Sequence, residues 1–174
     1  MSFRLQIVSL MVFLLVSCTG TQNPETVKPS PNRDTVTVCA QGCDYSSIQQ
    51  AIDSESFNPG SIIEIKDDVH TEGGIILSRD VTILGQGPNS TIIQAHTNPE
   101  ESTLRVFDIL AGVDVTMQGI TIRYGNPKST LRNGGGIYNL GTLTLKNVNV
   151  SENQGSAGGG IYTEGTLTLI DSSI

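Results

Sequence analysis

Tryptophan is absent from this 174-residue chain, aromatic residues make up only 5% of it, and there are two histidines and three cysteines. So thin a supply of rings excludes a conventional core of large aromatics and favours aliphatic packing, with 19 glycines available for tight turns. Basic residues are scarce too. Ten Lys and Arg face 17 Asp and Glu, which argues against nucleic acid and against electrostatic docking on anionic lipid. Neither His70 nor His96 has ligand spacing, so a metal knuckle lacks its second pair of donors. Past Ser54 helical periodicity is missing altogether, and the length allows one domain with a tail.

What is present is a repeat. Gly134-Gly135-Gly136-Ile137-Tyr138 returns as Gly158-Gly159-Gly160-Ile161-Tyr162, and at the same spacing Gly141-Thr142-Leu143-Thr144-Leu145 returns as Gly165-Thr166-Leu167-Thr168-Leu169. Within each unit apolar and polar residues alternate, the two-residue period of half-buried strands. A fixed repeat period combined with strand alternation predicts coils of a parallel β-solenoid. Leu143 and Leu145 then point inward, while Thr142, Thr144 and Lys146 form an exposed strand face that Thr166 and Thr168 repeat.

The N-terminus is separate from this pattern. Arg4 precedes an apolar run from Leu5 to Val16 that is too short to span a bilayer and has the form of a secretory signal. Leu15-Val16-Ser17-Cys18 resembles the bacterial lipobox, which implies cleavage before Cys18 and lipid attachment to it; the alternative is an ordinary signal with a cysteine nearby. Residues 1–17 are then signal, and 18–33, with Pro24, Pro29 and Pro31 among polar residues, are a tether. The resemblance implies an exported bacterial lipoprotein held to the membrane through Cys18, and Thr19 in place of Asp implies outer-membrane sorting. Loss of Arg4 leaves nine basic against 17 acidic side chains, a net of −8. In an oxidising compartment, Cys39 and Cys43 of Cys39-Ala40-Gln41-Gly42-Cys43 are expected to bridge, against the alternative of free thiols.

Residues 34–174 constitute the folded domain. Thr35 to Val38 alternates as a strand, and Ser46 or Ser47 caps a short helix whose Ile48, Ala51 and Ile52 form one apolar stripe, ending near Ser54. At this place an amphipathic helix is a lid over the first coil. Short apolar runs follow as far as Ile122. Aligning Val81-Thr82-Ile83, Val115-Thr116-Met117, Leu143-Thr144-Leu145 and Leu167-Thr168-Leu169 makes Gly85, Gly119, Asn147 and Asp171 equivalent, all residue types that tolerate left-handed backbone. The interval is longest from Gly85 to Gly119 and shortest from Asn147 to Asp171, which places insertions in the loops of the earlier coils. Ile63-Glu64-Ile65 is expected to be one further coil, with Asp67 as the counterpart of Gly85.

Cys39 to Ser47, Ile48-Gln49-Gln50-Ala51-Ile52, Val69-His70-Thr71-Glu72 and Val81-Thr82-Ile83-Leu84-Gly85 together resemble the opening of right-handed parallel β-helix proteins of the pectin-lyase-like superfamily. The pectinesterase opening is similar in outline. The Gly-Gly-Gly-Ile-Tyr units resemble repeats of bacterial surface β-helix proteins, including the polymorphic outer-membrane proteins. The resemblance implies an all-β right-handed parallel β-helix, for which the short helix is the N-terminal cap; at Ile174 the copy stops without a closing helix or polar strand, so the last coil is expected to be uncapped and to self-associate. The chain is expected to be a truncated product or fragment.

No catalytic set is recognisable. The resembled lyases need several carboxylates around calcium with a basic proton abstractor, and the esterases need paired Asp with Gln and Arg downstream. Asp108 and Asp114 have no matched partners. Gly85-Gln86-Gly87-Pro88-Asn89-Ser90 precedes another strand, so it is a turn and no dinucleotide loop. Asp67, Asp68, His70 and Glu72 are expected to be a solvated turn, although a cation site or acid–base pair is the other possibility. Asn139, Asn147, Asn149 and Asn153 either line a sugar-binding face or satisfy turn amides, and Asn147 is assigned to the latter. Arg105, Arg123 and Tyr124 are the candidate glycan contacts, with a solubilising role for the arginines as the alternative. Specificity is expected in the loops Ala95 to Thr103 and Gly125 to Asn133. Two functions follow: a lipid-anchored, non-catalytic surface module for adhesion or glycan contact, requiring no cofactor, or the first part of a polysaccharide lyase or esterase whose catalytic coils lie elsewhere.

Overall fold

A computed structural model describes residues 34–128 and 132–174. The expected signal, Cys18 and the tether lie outside them. The described chain is a parallel β-helix whose strands stack into three sheets. Its long sheet runs β1 (Thr35–Val38), β2 (Ser61–Ile65), β5 (Val81–Leu84), β8 (Asp114–Gln118), β11 (Thr142–Lys146) and β14 (Thr166–Ile170). A second sheet stacks β3 (Val69–Thr71), β6 (Ile92–Gln94), β9 (Thr121–Arg123) and β12 (Asn149–Val150). The third stacks β4 (Ile75–Leu77), β7 (Phe107–Ile109), β10 (Ile137–Asn139) and β13 (Ile161–Thr163). Successive coils visit the three sheets in turn, and every pairing of these strands is parallel.

The register follows the repeat. Val81 pairs with Val115, Leu143 with both Val115 and Leu167, and Leu145 with both Met117 and Leu169. Inward aliphatics therefore form continuous columns, and Ile83, Met117, Leu143 and Leu145 are wholly buried. Burying such side chains stabilises the stack by roughly 1.5–3 kcal/mol each. On the outer side Thr82, Thr116, Thr144 and Thr168 form one column, as strand alternation requires.

The first coil departs from expectation. Ser61 pairs with Val81, Ile63 with Ile83 and Glu64 with Leu84, so that Ile65, and not Asp67, stands level with Gly85. A shift by two positions keeps every side chain on its face, so alternation alone cannot detect it. Ser61, a polar residue with its hydroxyl buried and unpartnered at an inward site, conceals where the strand begins.

The bend between the long and second sheets is left-handed at Gly119 (φ 65°), Asn147 (φ 51°) and Asp171 (φ 50°), but not at Gly85. Gly85 is needed for closeness: a Cβ there would lie 2.5 Å from the Gly119 carbonyl oxygen. Asn147 is exposed and serves through its backbone. The turn amides are satisfied by other asparagines. Buried Asn139 accepts from Gly141 N and donates to Thr163 Oγ1 and Thr166 O, while Asn153 accepts from Gly125 N and donates to Ile122 O.

At the N-terminal end α1 (Ile48–Asp53) buries Ile48, Ala51 and Ile52, with Ser47 as N-cap accepting from Gln50 N. The Gln49 amide accepts from Ile76 N at 2.7 Å and reaches Ile76 O at 3.4 Å, occupying the free edge of β4. A disulfide joins Cys39 to Cys43, and their loop returns along β1 through Cys39 N to Tyr45 O and Tyr45 N to Thr37 O. No helix among the described residues is long and apolar enough to cross a membrane.

Candidate functional site

Strand alternation points Ile76, Asp108, Tyr138 and Tyr162 outward from the third sheet, and parallel register brings them into one column. The Tyr138 and Tyr162 rings stack with centroids 5.5 Å apart and planes 6° from parallel. Arg105, shortly before β7, lays its guanidinium 4.8 Å from the Tyr138 centroid and pairs with Asp108. Because β10 lies between β7 and β13, these contacts fall on opposite faces of Tyr138. Its hydroxyl donates to Glu164 Oε1, and partial desolvation together with that carboxylate raises the phenol's pKa. Ile76 and Leu104 expose 46% and 51% of their surface at the start of the strip, an apolar end to an otherwise aromatic and charged surface.

The three contact residues expected from the sequence do not form one constellation. Arg105 joins the third-sheet column. Arg123 closes β9 of the second sheet and Tyr124 follows it in the turn, and Arg123 donates to Gln94 Oε1 through Nε and Nη2 at 3.1 and 2.9 Å. Gln94 in turn donates to Thr71 Oγ1, so three successive coils are tied together. Arg123 also stands 4.4 Å from the Tyr124 centroid. Tyr124 has φ 63°, and Glu152, whose carbonyl accepts from Tyr124 N, has φ 55°, so this left-handed turn belongs to successive coils. Sequence reasoning misses Tyr138 and Tyr162, though the signal is present: they share one place in the tandem repeat, and alternation with buried Ile137 turns Tyr138 outward.

In the cluster expected to be a solvated turn Asp68 is exposed, but His70 is buried and Asp67 and Glu72 are half-buried. His70 is 5% exposed, with Nδ1 3.1 Å from Asp67 Oδ2 and Nε2 2.9 Å from Glu72 Oε2. Glu72 accepts from Ser47 Oγ, Ile48 N and Gln49 N, closing the start of α1, and Asp67 accepts from Ala40 N beside the disulfide. Burial alone would lower the pKa of His70, but its bonds to Glu72 and Asp67 outweigh that and raise it. Burial likewise pushes Glu72 up, yet the bonds from His70, Gln49, Ser47 and Ile48 bring it below its ordinary value. The glycine-rich stretch after Gly85 is a turn, with Ser90 N donating to Gly87 O and Gln86 N to Thr91 Oγ1.

Asp108 and Asp114 belong to different sheets, the former paired with Arg105 and the latter donating its backbone N–H to Asp80. No group of three His, Cys, Asp or Glu among the described residues is placed to hold a metal ion. In the loops expected to carry specificity, Lys128 N donates to Thr103 O and Asn126 N to Leu104 O, so residues 126 and 128 lie against the end of the 95–103 loop.

No protein-family profile matches the sequence, and no curated protein matches it. Solved structures do. A pectin methylesterase mutant in complex with a hexasaccharide superposes with a TM-score of 0.56 and 18% identity, over 82% of this chain and 48% of that one. Pectin methylesterase from carrot superposes with a TM-score of 0.54 and 19% identity, over 85% of this chain and 47% of that one. The chain therefore spans about half the length of these neighbours, and what it shares with them is the parallel β-helix fold.

Proposed function

We propose that this chain is a lipid-tethered, non-catalytic surface β-helix module that contacts polysaccharide through the outer face of its third sheet. The observation that carries the proposal is the stack of Arg105, Tyr138 and Tyr162, continued by Glu164 and begun by exposed Ile76. Sugars combine apolar C–H faces with hydroxyls, and aromatic rings beside fixed charges complement both. Cys18 supplies the tether, and export to the bacterial surface follows from its lipobox. Affinity electrophoresis against polygalacturonate and neutral glucans tests the contact. Tyr162→Ala is expected to weaken binding roughly tenfold, or about 1.4 kcal/mol. Unchanged mobility shifts in both Tyr162→Ala and Tyr138→Ala would move the contact elsewhere. Cys18→Ala is expected to abolish incorporation of labelled fatty acid.

The second reading, part of a polysaccharide esterase, is favoured by the fold shared with pectin methylesterases. Release of methanol from methylated pectin by the chain would replace the binding-only function with that one.

A further inference from the structure

His70 presents a problem of proton count. Both ring nitrogens face carboxylate oxygens, and a neutral imidazole has a single N–H to donate. Both contacts are hydrogen bonds to ionised carboxylates only when the ring carries two protons. The two carboxylates are also what fastens the N-terminal cap: Glu72 receives Ser47, Ile48 and Gln49 at the start of α1, while Asp67 receives Ala40 from the disulfide loop. One buried ring thus holds β3, α1 and the loop to one another.

We propose that Asp67, His70 and Glu72 form a proton-operated latch for the N-terminal cap, closed while the imidazole carries both protons and loosened when it gives one up. On release of the proton, one ring nitrogen becomes a lone pair facing a carboxylate in a site nearly closed to water, which is repulsive. Asp67 or Glu72 then turns away and takes its backbone donors with it. Gln49 follows α1 off the β4 edge and exposes the N–H and C=O of Ile76. Among the described residues the charges acting on the ring are Glu72 and Asp67, while α1 and its cap contribute Ser47 and Gln49, and β6 contributes Ile93 opposite His70.

The direction with pH follows from the two shifts. His70, raised in the folded state, contributes stability that is complete below its ordinary value and is lost as pH rises through its folded value. Glu72, lowered, contributes stability that is complete above its ordinary value and is lost as pH falls through its folded value. The latch therefore closes in a window bounded by Glu72 on the acid side and His70 on the alkaline side.

Residue-resolved hydrogen exchange on the full chain, from about pH 6 to about pH 9, tests this alongside the NMR titration of His70. After correction for base catalysis, the protection of Ile48, Gln49 and Ile76 is expected to fall roughly tenfold or more with a midpoint at the His70 titration, while Leu145 stays constant. His70→Gln is expected to abolish that pH dependence. Glu72→Gln is expected to move the His70 midpoint down, and it decides the matter should His70→Gln not fold. Flat protection in the wild type, a midpoint unrelated to His70, or an unmoved midpoint in Glu72→Gln overturns the latch.

Discussion

The two ends of the stack use the same strand chemistry and differ in what covers it. At the N-terminal end β1 is met by the disulfide loop, Thr37 N donates to Asp44 Oδ2, and Gln49 occupies the β4 edge. Beneath them Ile48, Ala51 and Ile52 are fully buried. At the other end β14 pairs with β11 alone among the described strands, and Leu169, Ile170 and Ile174 expose 45%, 43% and 60% of their surface. Thr-Leu-Thr-Leu occurs in both β11 and β14, yet Leu145 is wholly buried and its register partner Leu169 is not. Burial in this fold is conferred by the neighbouring coil, and an identical sequence has different energetic weight at different heights in the stack.

Substitutions can break that comparison. The largest expected effect is at Leu145: truncation to Ala should cost about 2–5 kcal/mol in denaturant melts, with Leu169→Ala below about 1 kcal/mol. Equal losses would mean that both coils are covered in solution. Next is Cys39→Ser, which opens the small disulfide loop of the N-terminal cap and should cost about 2 kcal/mol by the chain-entropy relation. Reduction of the wild type should reproduce that loss, and a silent substitution would show that the cap stands without its bridge. Smaller still, Ser47→Ala removes the helix cap and one donor to Glu72, for about 1 kcal/mol. Its effect should grow weaker in a His70→Gln background if the two act through Glu72, which a double-mutant cycle measures.

The same contrast explains what is legible in the residues. The C-terminal coils, nearly free of insertions, announce themselves through the tandem repeat, and α1 through its cap and apolar stripe. The left-handed bend is readable at Gly119, Asn147 and Asp171 because few residue types tolerate it. Gly85 shows that a shared residue type has two causes, conformation at Gly119 and space at Gly85. The first coil is displaced by two positions from its expected register because period-two alternation is blind to such a shift. His70 reads as solvated from its neighbours alone because the groups that enclose its carboxylate partner, Ser47, Ile48 and Gln49, come from a distant stretch of sequence. Arg105 meets Tyr138 from the neighbouring coil, a contact that only the coil register creates. Asn139 and Asn153 make the turn bonds that the sequence assigns most specifically to Asn147, because side-chain direction at a turn depends on which coil faces it.

Native-state hydrogen exchange resolved by strand on this 174-residue chain tests most directly whether burial is conferred by the neighbouring coil. Protection is predicted to be highest in β5 and β8, to remain high in β1 at neutral pH, and to fall roughly tenfold or more from β11 to β14. Protection in β14 equal to that in β11, with β1 exchanging as fast as an open edge, would contradict it.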